Sequence, residues 1–324
     1  MKHTGCCWFA VLIMLVFWHA PCAGDPNETA LLALRQKMQE LQKGHVVTVD
    51  DREILVGEPE VILAELQVFE KDPVERVRWE AHAIGWRIAI QSDEPQIRRD
   101  VVSSLIRACS DPSGLVRESA AEFLLAFTAE AFTEDTKTWL RALVASDKPE
   151  RGMILVAGVA DLRDQAPKLR ALLADETRLH PETPGARGWY GSIPWTARMA
   201  LGRMGSRDDI ERCIELVESE PDPVLRVGRL LQHLAFIRQP RAIALLQAYL
   251  ESDKGLPPEQ GEGAPLYAQY ALNLLALTLD NFPVRYKRSP AMYPQEDIEL
   301  ARTWMRAQQQ FKFLTVMPDR LMLW

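Results

Sequence analysis

The feature that most constrains this chain is a phrase that returns. Residues 72–81 read DPVERVRWEA and residues 111–120 read DPSGLVRESA. Both carry Asp first, Pro second, Val sixth, Arg seventh and Ala tenth. The two copies start at 72 and 111, 39 residues apart, and the opening DPVLRV returns at 222, three steps of 37 further on. A fixed period of this length means stacked supersecondary units. Each unit contacts only its neighbours, so the chain is expected to be an array.

The unit reads as two antiparallel helices. Proline recurs at the expected start of the first helix, at Pro73, Pro112, Pro149, Pro194, Pro223 and Pro265. The first turn tolerates proline because its missing N–H has no intrahelical partner there. Asp72, Asp111 and Asp222 stand just before, where a carboxylate caps exposed N–H groups. Val77, Ala81, Ile84 and Ile88 form one helical stripe, and Val116, Ala120, Phe123, Leu124 and Phe127 another. Small residues at Ala81, Ala120 and Ala157 allow close helix approach. Second helices are expected over 95–110, 133–147, 164–176, 207–219, 239–252 and 294–313. The corners between them read Leu162-Arg163-Asp164-Gln165, Met204-Gly205-Ser206-Arg207 and Ile237-Arg238-Gln239-Pro240. The expected fold is all-α, an α-solenoid of six or seven antiparallel helix pairs.

Ahead of the array, residues 27–43 show helical spacing with Asn27 as the expected cap, and 45–57 read as an edge strand or an extended linker. The expected organisation is a signal peptide over 1–24, a cap helix and linker over 25–57, a solenoid over 58–313 and a capping tail over 314–324. The signal follows from a positive start at Met1-Lys2-His3, an apolar run from Trp8 to Trp18, and small residues Ala20, Cys22, Ala23 and Gly24. Eleven residues rise only about 16 Å as a helix, short of a hydrocarbon core of about 30 Å. An uncleaved anchor is the alternative. The expected location is the periplasm or cell envelope. Membrane attachment is expected only if the signal is retained or Cys22 is lipidated, and His19-Ala20-Pro21 lacks the usual lipoprotein pattern. Cys109 and Cys213 stand far apart and read as small core hydrophobes. The net charge of -7 argues against nucleic-acid partners, which demand a basic excess.

The phrase D-P-x-x-x-V-R-x-x-A, with a corner such as ALGRMGSRDDI over 200–210, resembles the HEAT repeat, nearest the variety seen in phycobilisome-lyase-like proteins. The resemblance covers 58–313 and implies a HEAT-like superhelix. It also implies a hydrogen-bonded ladder between repeats, carried by Asp72 with Arg78 and Asp111 with Arg117. Asp222 belongs to the third copy, where Gly228 takes the arginine position, so an interruption is expected there. The segment 297–308, DIELARTWMRAQ, is similar to the closing helix of exported bacterial HEAT proteins. The apolar tail beyond it is expected to fold back over the last repeat.

No nucleophile elbow, zinc-binding HExxH, P-loop or dinucleotide glycine pattern is present in the sequence. His82 and His233 fall within expected first helices, and carboxylates fall at caps and on solvated faces. No metal and no cofactor is expected. Three insertions break the period, at 178–194, 252–265 and 280–293. The first brings together Arg187, Trp189, Tyr190 and Trp195, types enriched in binding hot spots; pinning of the insertion onto the array is the alternative. The third carries Arg285 and Tyr286 beside Lys287 and Arg288, a small basic-aromatic patch or a solvated turn. The expected function is an exported, non-enzymatic scaffold for a protein or peptide partner in the cell envelope. The alternative, implied only by the family resemblance, is a lyase or a helper of cofactor attachment.

Overall fold

The computed structural model describes residues 25–45, 49–146, 149–174, 191–257 and 265–318. Among them the chain is all-α, and its helices pack against one another in sequence order, as in an α-solenoid. The only β pairing among the described residues is two isolated bridges, Gly255 with Leu266 and Leu279 with Phe313.

α1 (Pro26–Gln42) opens behind Asp25, whose carboxylate accepts the Asn27 N–H at 2.9 Å. Asp25, not Asn27, is the cap. Asn27 instead accepts the Glu58 N–H at 2.7 Å, which ties the start of α1 to the start of α3. The described part of 45–57 holds a single turn, α2 (Asp51–Ile54), capped by Asp50, and no strand. This segment is locked down by charge. Buried Lys37 of α1 meets Asp51 and Glu80, the latter at 2.8 Å, and Arg87 reaches Asp51 at 2.6 Å and Glu80 at 3.3 Å. Two cations and two carboxylates alternate, so a network that costs desolvation is internally neutral.

The array proper follows as α3 (Pro59–Phe69), α4 (Glu75–Gln91), α5 (Pro95–Ala108), α6 (Gly114–Leu124), α7 (Glu134–Val144), α8 (Arg151–Val159) and α9 (Ala166–Ala171). It continues as α10 (Ile193–Arg203), α11 (Arg207–Ser219), α12 (Pro223–Leu225), a π-helical turn (Arg226–Leu230), α13 (Leu231–Ile237), α14 (Pro240–Leu250), α15 (Tyr267–Thr278) and α16 (Gln295–Ala307). First helices form a continuous row in which α4, α6, α8, α10, α13 and α15 each touch the next. Second helices lie outside it, with α5 on α7 and α11 on α14 on α16. The stripes read from the sequence face inward: Val77, Ala81, Ile84 and Ile88 are buried, as are Val116, Ala120, Phe123, Leu124 and Phe127.

The first-helix row is tight. A Cβ on Gly152 would lie 2.5 Å from the Ala121 Cβ, and one on Gly158 would lie 2.9 Å from the Ala200 Cα. The backbones of α6, α8 and α10 therefore meet through residues with almost no side chain. Ala120 and Ala157 are buried as well, but the closest contacts fall one residue further on, at Ala121 and Gly158.

The prolines mostly sit earlier than expected. Pro73 and Pro112 precede the first helical residues Glu75 and Gly114 by two positions. Asp72 and Asp111 hold that turn by accepting the N–H of Val74 and of Ser113, each at 2.8 Å. Six residues after each aspartate an arginine returns. Arg78 Nη1 donates to the Asp72 carbonyl at 2.8 Å, and Arg117 Nη1 to the Asp111 carbonyl at 2.7 Å. The other edge of each guanidinium reaches the next unit. Arg78 grips Asp111 through Nε at 2.7 Å and Nη2 at 2.8 Å, and Arg117 Nε reaches Glu150 at 3.1 Å.

The third copy is shifted rather than interrupted. Arg226 Nη1 donates to the Glu220 carbonyl at 2.7 Å, and the Glu220 carboxylate accepts the Asp222 N–H at 3.1 Å. Glu220 and Arg226 thus take the roles assigned to Asp222 and position 228, two residues upstream. Asp222 is an exposed cap that accepts from Val224 and Leu225, and Gly228 lies within the π-helical turn. A further copy with no aspartate stands at Ser92 and Arg98: Arg98 Nη2 donates to the Ser92 carbonyl at 2.5 Å, and Ser92 Oγ accepts the Glu94 N–H at 3.1 Å.

Two outcomes follow for stability. Gly158→Ala forces apart α8 and α10 and is expected to cost about 1–3 kcal/mol, whereas Gly85→Ala, whose Cβ meets nothing closer than 3.8 Å, is expected to stabilise α4 by up to about 1 kcal/mol; urea midpoints compare them. Asp111→Ala leaves Arg78 buried without its partner and is expected to cost about 3 kcal/mol, and a double-mutant cycle with Arg78→Met is expected to show coupling between the two sites.

Candidate functional site

The turn from a first helix into its second helix repeatedly needs one left-handed residue. Asp161, Gly205, Arg238 and Asn281 take it after α8, α10, α13 and α15, with φ of 54°, 92°, 49° and 55°. Gly, Asn and Asp tolerate this region, while a long side chain is held there at a cost of order 1 kcal/mol. Arg238 is the residue out of place, and it marks the site.

Because the first-helix row is tight, its corners crowd together. The corners after α6, α8 and α13 and the end of α10 surround an open cleft of about 640 Å³ lined by Glu130, Gly158, Arg163, Arg203, Arg238 and Gln239, with Phe313 from the tail. The tail runs over the same corners. Leu314 N donates to the Thr278 carbonyl at 3.0 Å, Arg238 Nη1 donates to the Leu314 carbonyl at 2.8 Å, and Met317 N donates to the Ala126 carbonyl at 2.8 Å. Three residues span at most about 10 Å, so with the hydrogen bonds of 3.0 and 2.8 Å at its ends the segment keeps the Ala126 and Thr278 carbonyls within about 16 Å of each other. The tail was expected to cover the last repeat. It straps the array from α15 back to α6 instead; residues 319–324 lie outside the described residues.

Two guanidinium groups sit in this cleft without a direct ion-pair partner. Arg203 Nη1 donates to the Phe236 carbonyl at 2.7 Å, and its Cζ lies 5.6 Å from the Phe236 ring centre. Arg203 is half-buried, and burial together with neighbouring Arg238 pulls its pKa well below the usual 12.5. Arg238 is 5% exposed, and burial lowers its pKa to about 10. Its Nε and Nη2 are buried without a hydrogen-bond partner. Asp161 supports the Arg203 charge and Glu130 supports both, but the Glu130 side chain accepts the Thr128 hydroxyl and makes no ion pair with either arginine. Arg163 is already matched by Asp161, at 3.0 and 3.1 Å. The arrangement supplies positive charge and donors to an anionic group.

A second polar cluster lies between α3, α4 and α5, at a small cavity of about 40 Å³. Ser104 Oγ donates to Glu70 at 2.6 Å and lies 3.3 Å from His82 Nδ1. Both groups are within hydrogen-bond reach of the hydroxyl, and Glu70 is the nearer acceptor. Burial lowers the His82 pKa below the usual 6.5, with Glu70 opposing.

The residues proposed from the sequence fare differently. Arg187, Trp189 and Tyr190 lie outside the described residues. Trp195 is fully buried and donates its indole N–H to His233 Nδ1 at 3.0 Å, so it belongs to the core and not to a binding surface. Arg285 is exposed, but Tyr286 packs half-buried against the core. Lys287 is turned back onto Asp297 at 2.7 Å and the Tyr293 ring at 4.7 Å, so the basic-aromatic patch is partly spent on holding its own turn. Cys109 and Cys213 are buried, and burial pushes the Cys109 thiol up. Among the described residues, no group of three His, Cys, Asp or Glu side chains is placed to hold a metal, and no helix is long and apolar enough to cross a membrane.

Arg203 and Arg238 appeared in the sequence only as corner residues. The available signal was an arginine in IRQP at a corner where glycine or aspartate serves elsewhere. No family model matches the chain, and no curated protein matches it.

One pH effect follows from His82. Its folded pKa lies below the unfolded value, so the unfolded state binds more protons and the stability His82 contributes is lost as pH falls through that folded value. Urea midpoints are expected to drop from about pH 7 to about pH 5, and more shallowly in His82→Gln.

Proposed function

We propose that this chain is an exported, non-enzymatic scaffold of HEAT-like repeats that binds an acidic segment of a protein or peptide partner at the corner cleft. One observation carries the reading: Arg203 and Arg238 are held in a cleft with no ion-pair partner, at a desolvation cost that an anionic ligand would offset. The fold supports it, since stacked helix pairs present extended surfaces that recognise other chains. The ladder of Arg78, Arg117 and Arg226 supports the HEAT-like assignment. The apolar run after Met1-Lys2-His3 supports export.

The test has two readouts. The mature protein purified from its host is expected to begin near residue 25 by mass spectrometry. In fluorescence anisotropy a Glu-rich peptide is expected to bind, its Gln-rich counterpart to bind about tenfold more weakly or less, and an Arg203→Gln/Arg238→Gln variant to lose the difference. Equal binding of the two peptides, or binding of neither, removes the cleft from the reading.

A further inference from the structure

Arg78 and Arg238 use their guanidinium groups in parallel ways. In each, Nη1 donates to a backbone carbonyl at 2.8 Å, Asp72 in one case and Leu314 in the other. This fixes the plane of the group and leaves the Nε–Nη2 edge for something else. In Arg78 that edge holds the Asp111 carboxylate, at 2.7 and 2.8 Å. In Arg238 the same two nitrogens are buried and have no partner. A planar edge with two parallel N–H bonds matches a carboxylate, which accepts both.

We propose that the Nε–Nη2 edge of Arg238, reinforced by Arg203, is a carboxylate seat, and that the strap over residues 313–314 is its cover. The site names the ligand chemistry of the scaffold reading and rests on it for the natural ligand. Local charge agrees with one carboxylate. Arg163 is matched by Asp161, and Glu130 stands against the pair of Arg203 and Arg238, which leaves one positive charge. Arg238 lines the cleft, and residues 313–314 lie against it there. Phe313 lines the cleft, and the Leu314 carbonyl takes the Nη1 proton. The strap is held by Leu314 to Thr278, Met317 to Ala126, Asp280 to the Lys312 carbonyl, the Lys312–Asp280 ion pair at 2.7 Å and Arg98 to the Thr315 hydroxyl at 3.5 Å, and Met317 is buried in the core.

The seat can be tested with the full chain and acetate as the probe. Acetate is expected to raise the Tm above an equal ionic strength of chloride. Arg238→Gln is expected to weaken the apparent affinity at least about tenfold, while its ligand-free Tm stays level or rises because an unmatched buried charge is gone. Arg203→Gln is expected to weaken binding less, which gives a second measurement should Arg238→Gln fail to fold. Phe313→Ala loosens the cover and is expected to lower the acetate concentration at half-effect. Peptides separate the sources: a glycine peptide with a free C-terminus, the same peptide amidated, and an amidated peptide with one internal Glu tell a terminal from a side-chain carboxylate.

Identical shifts with acetate and chloride, an unaltered response in Arg238→Gln, or inorganic phosphate outdoing acetate each overturn the seat. Binding of Glu-rich peptides without any acetate response leaves the scaffold reading standing and removes the seat. An acetate response that Arg238→Gln abolishes, without peptide binding, keeps the seat and removes the peptide partner.

Discussion

Close approach within the first-helix row is the interaction on which the rest of this molecule depends. Gly152 lies against Ala121, and Gly158 against Ala200, at distances that no larger side chain permits. Because α6, α8 and α10 nearly touch through these residues, the corners at one end of the array are drawn together. That convergence lets one short tail segment bond to Thr278, Arg238 and Ala126 within a few residues. It also turns what would be separate surface turns into the wall of one cleft. A looser row would leave the strap with nothing to bridge and the arginines on separate turns facing water.

Charge is handled in two ways along the same chain. Within the array, Arg78 joins one unit to the next through a backbone carbonyl and a bidentate carboxylate, and Lys37 and Arg87 share Asp51 and Glu80. Burying such groups costs desolvation that good geometry offsets. At the cleft the same chemistry is left incomplete. Arg238 is held in the left-handed region and buried, with one edge vacant. Strain and unmatched charge in one residue are a combination that a structure tolerates where something else supplies the missing partner.

The ladder shows what a motif conveys and what it does not. The match of Asp72 with Arg78 and Asp111 with Arg117 was legible because both residues lie within one phrase, six positions apart. The copies at Glu220 with Arg226 and Ser92 with Arg98 were not, because the geometry needs only a side-chain acceptor two residues before an N–H and an arginine six positions on. Glutamate and serine satisfy it as well as aspartate. Trp195 misled for a related reason. Its neighbours in sequence suggested a surface, but the burial of a side chain depends on which helix lies across from it.

Local chemistry in the sequence determined the all-α class, the alternation of first and second helices and most of their ranges, because helical period, caps and corners act over a few residues. The site was decided elsewhere. Arg203 and Arg238 stand 35 positions apart in the sequence, and each alone is an ordinary corner charge. Only the packing of the row, helix against helix, brings them together, buries them and lays the tail across them. Such proximity is a property of packing between units, and no phrase within a single unit encodes it.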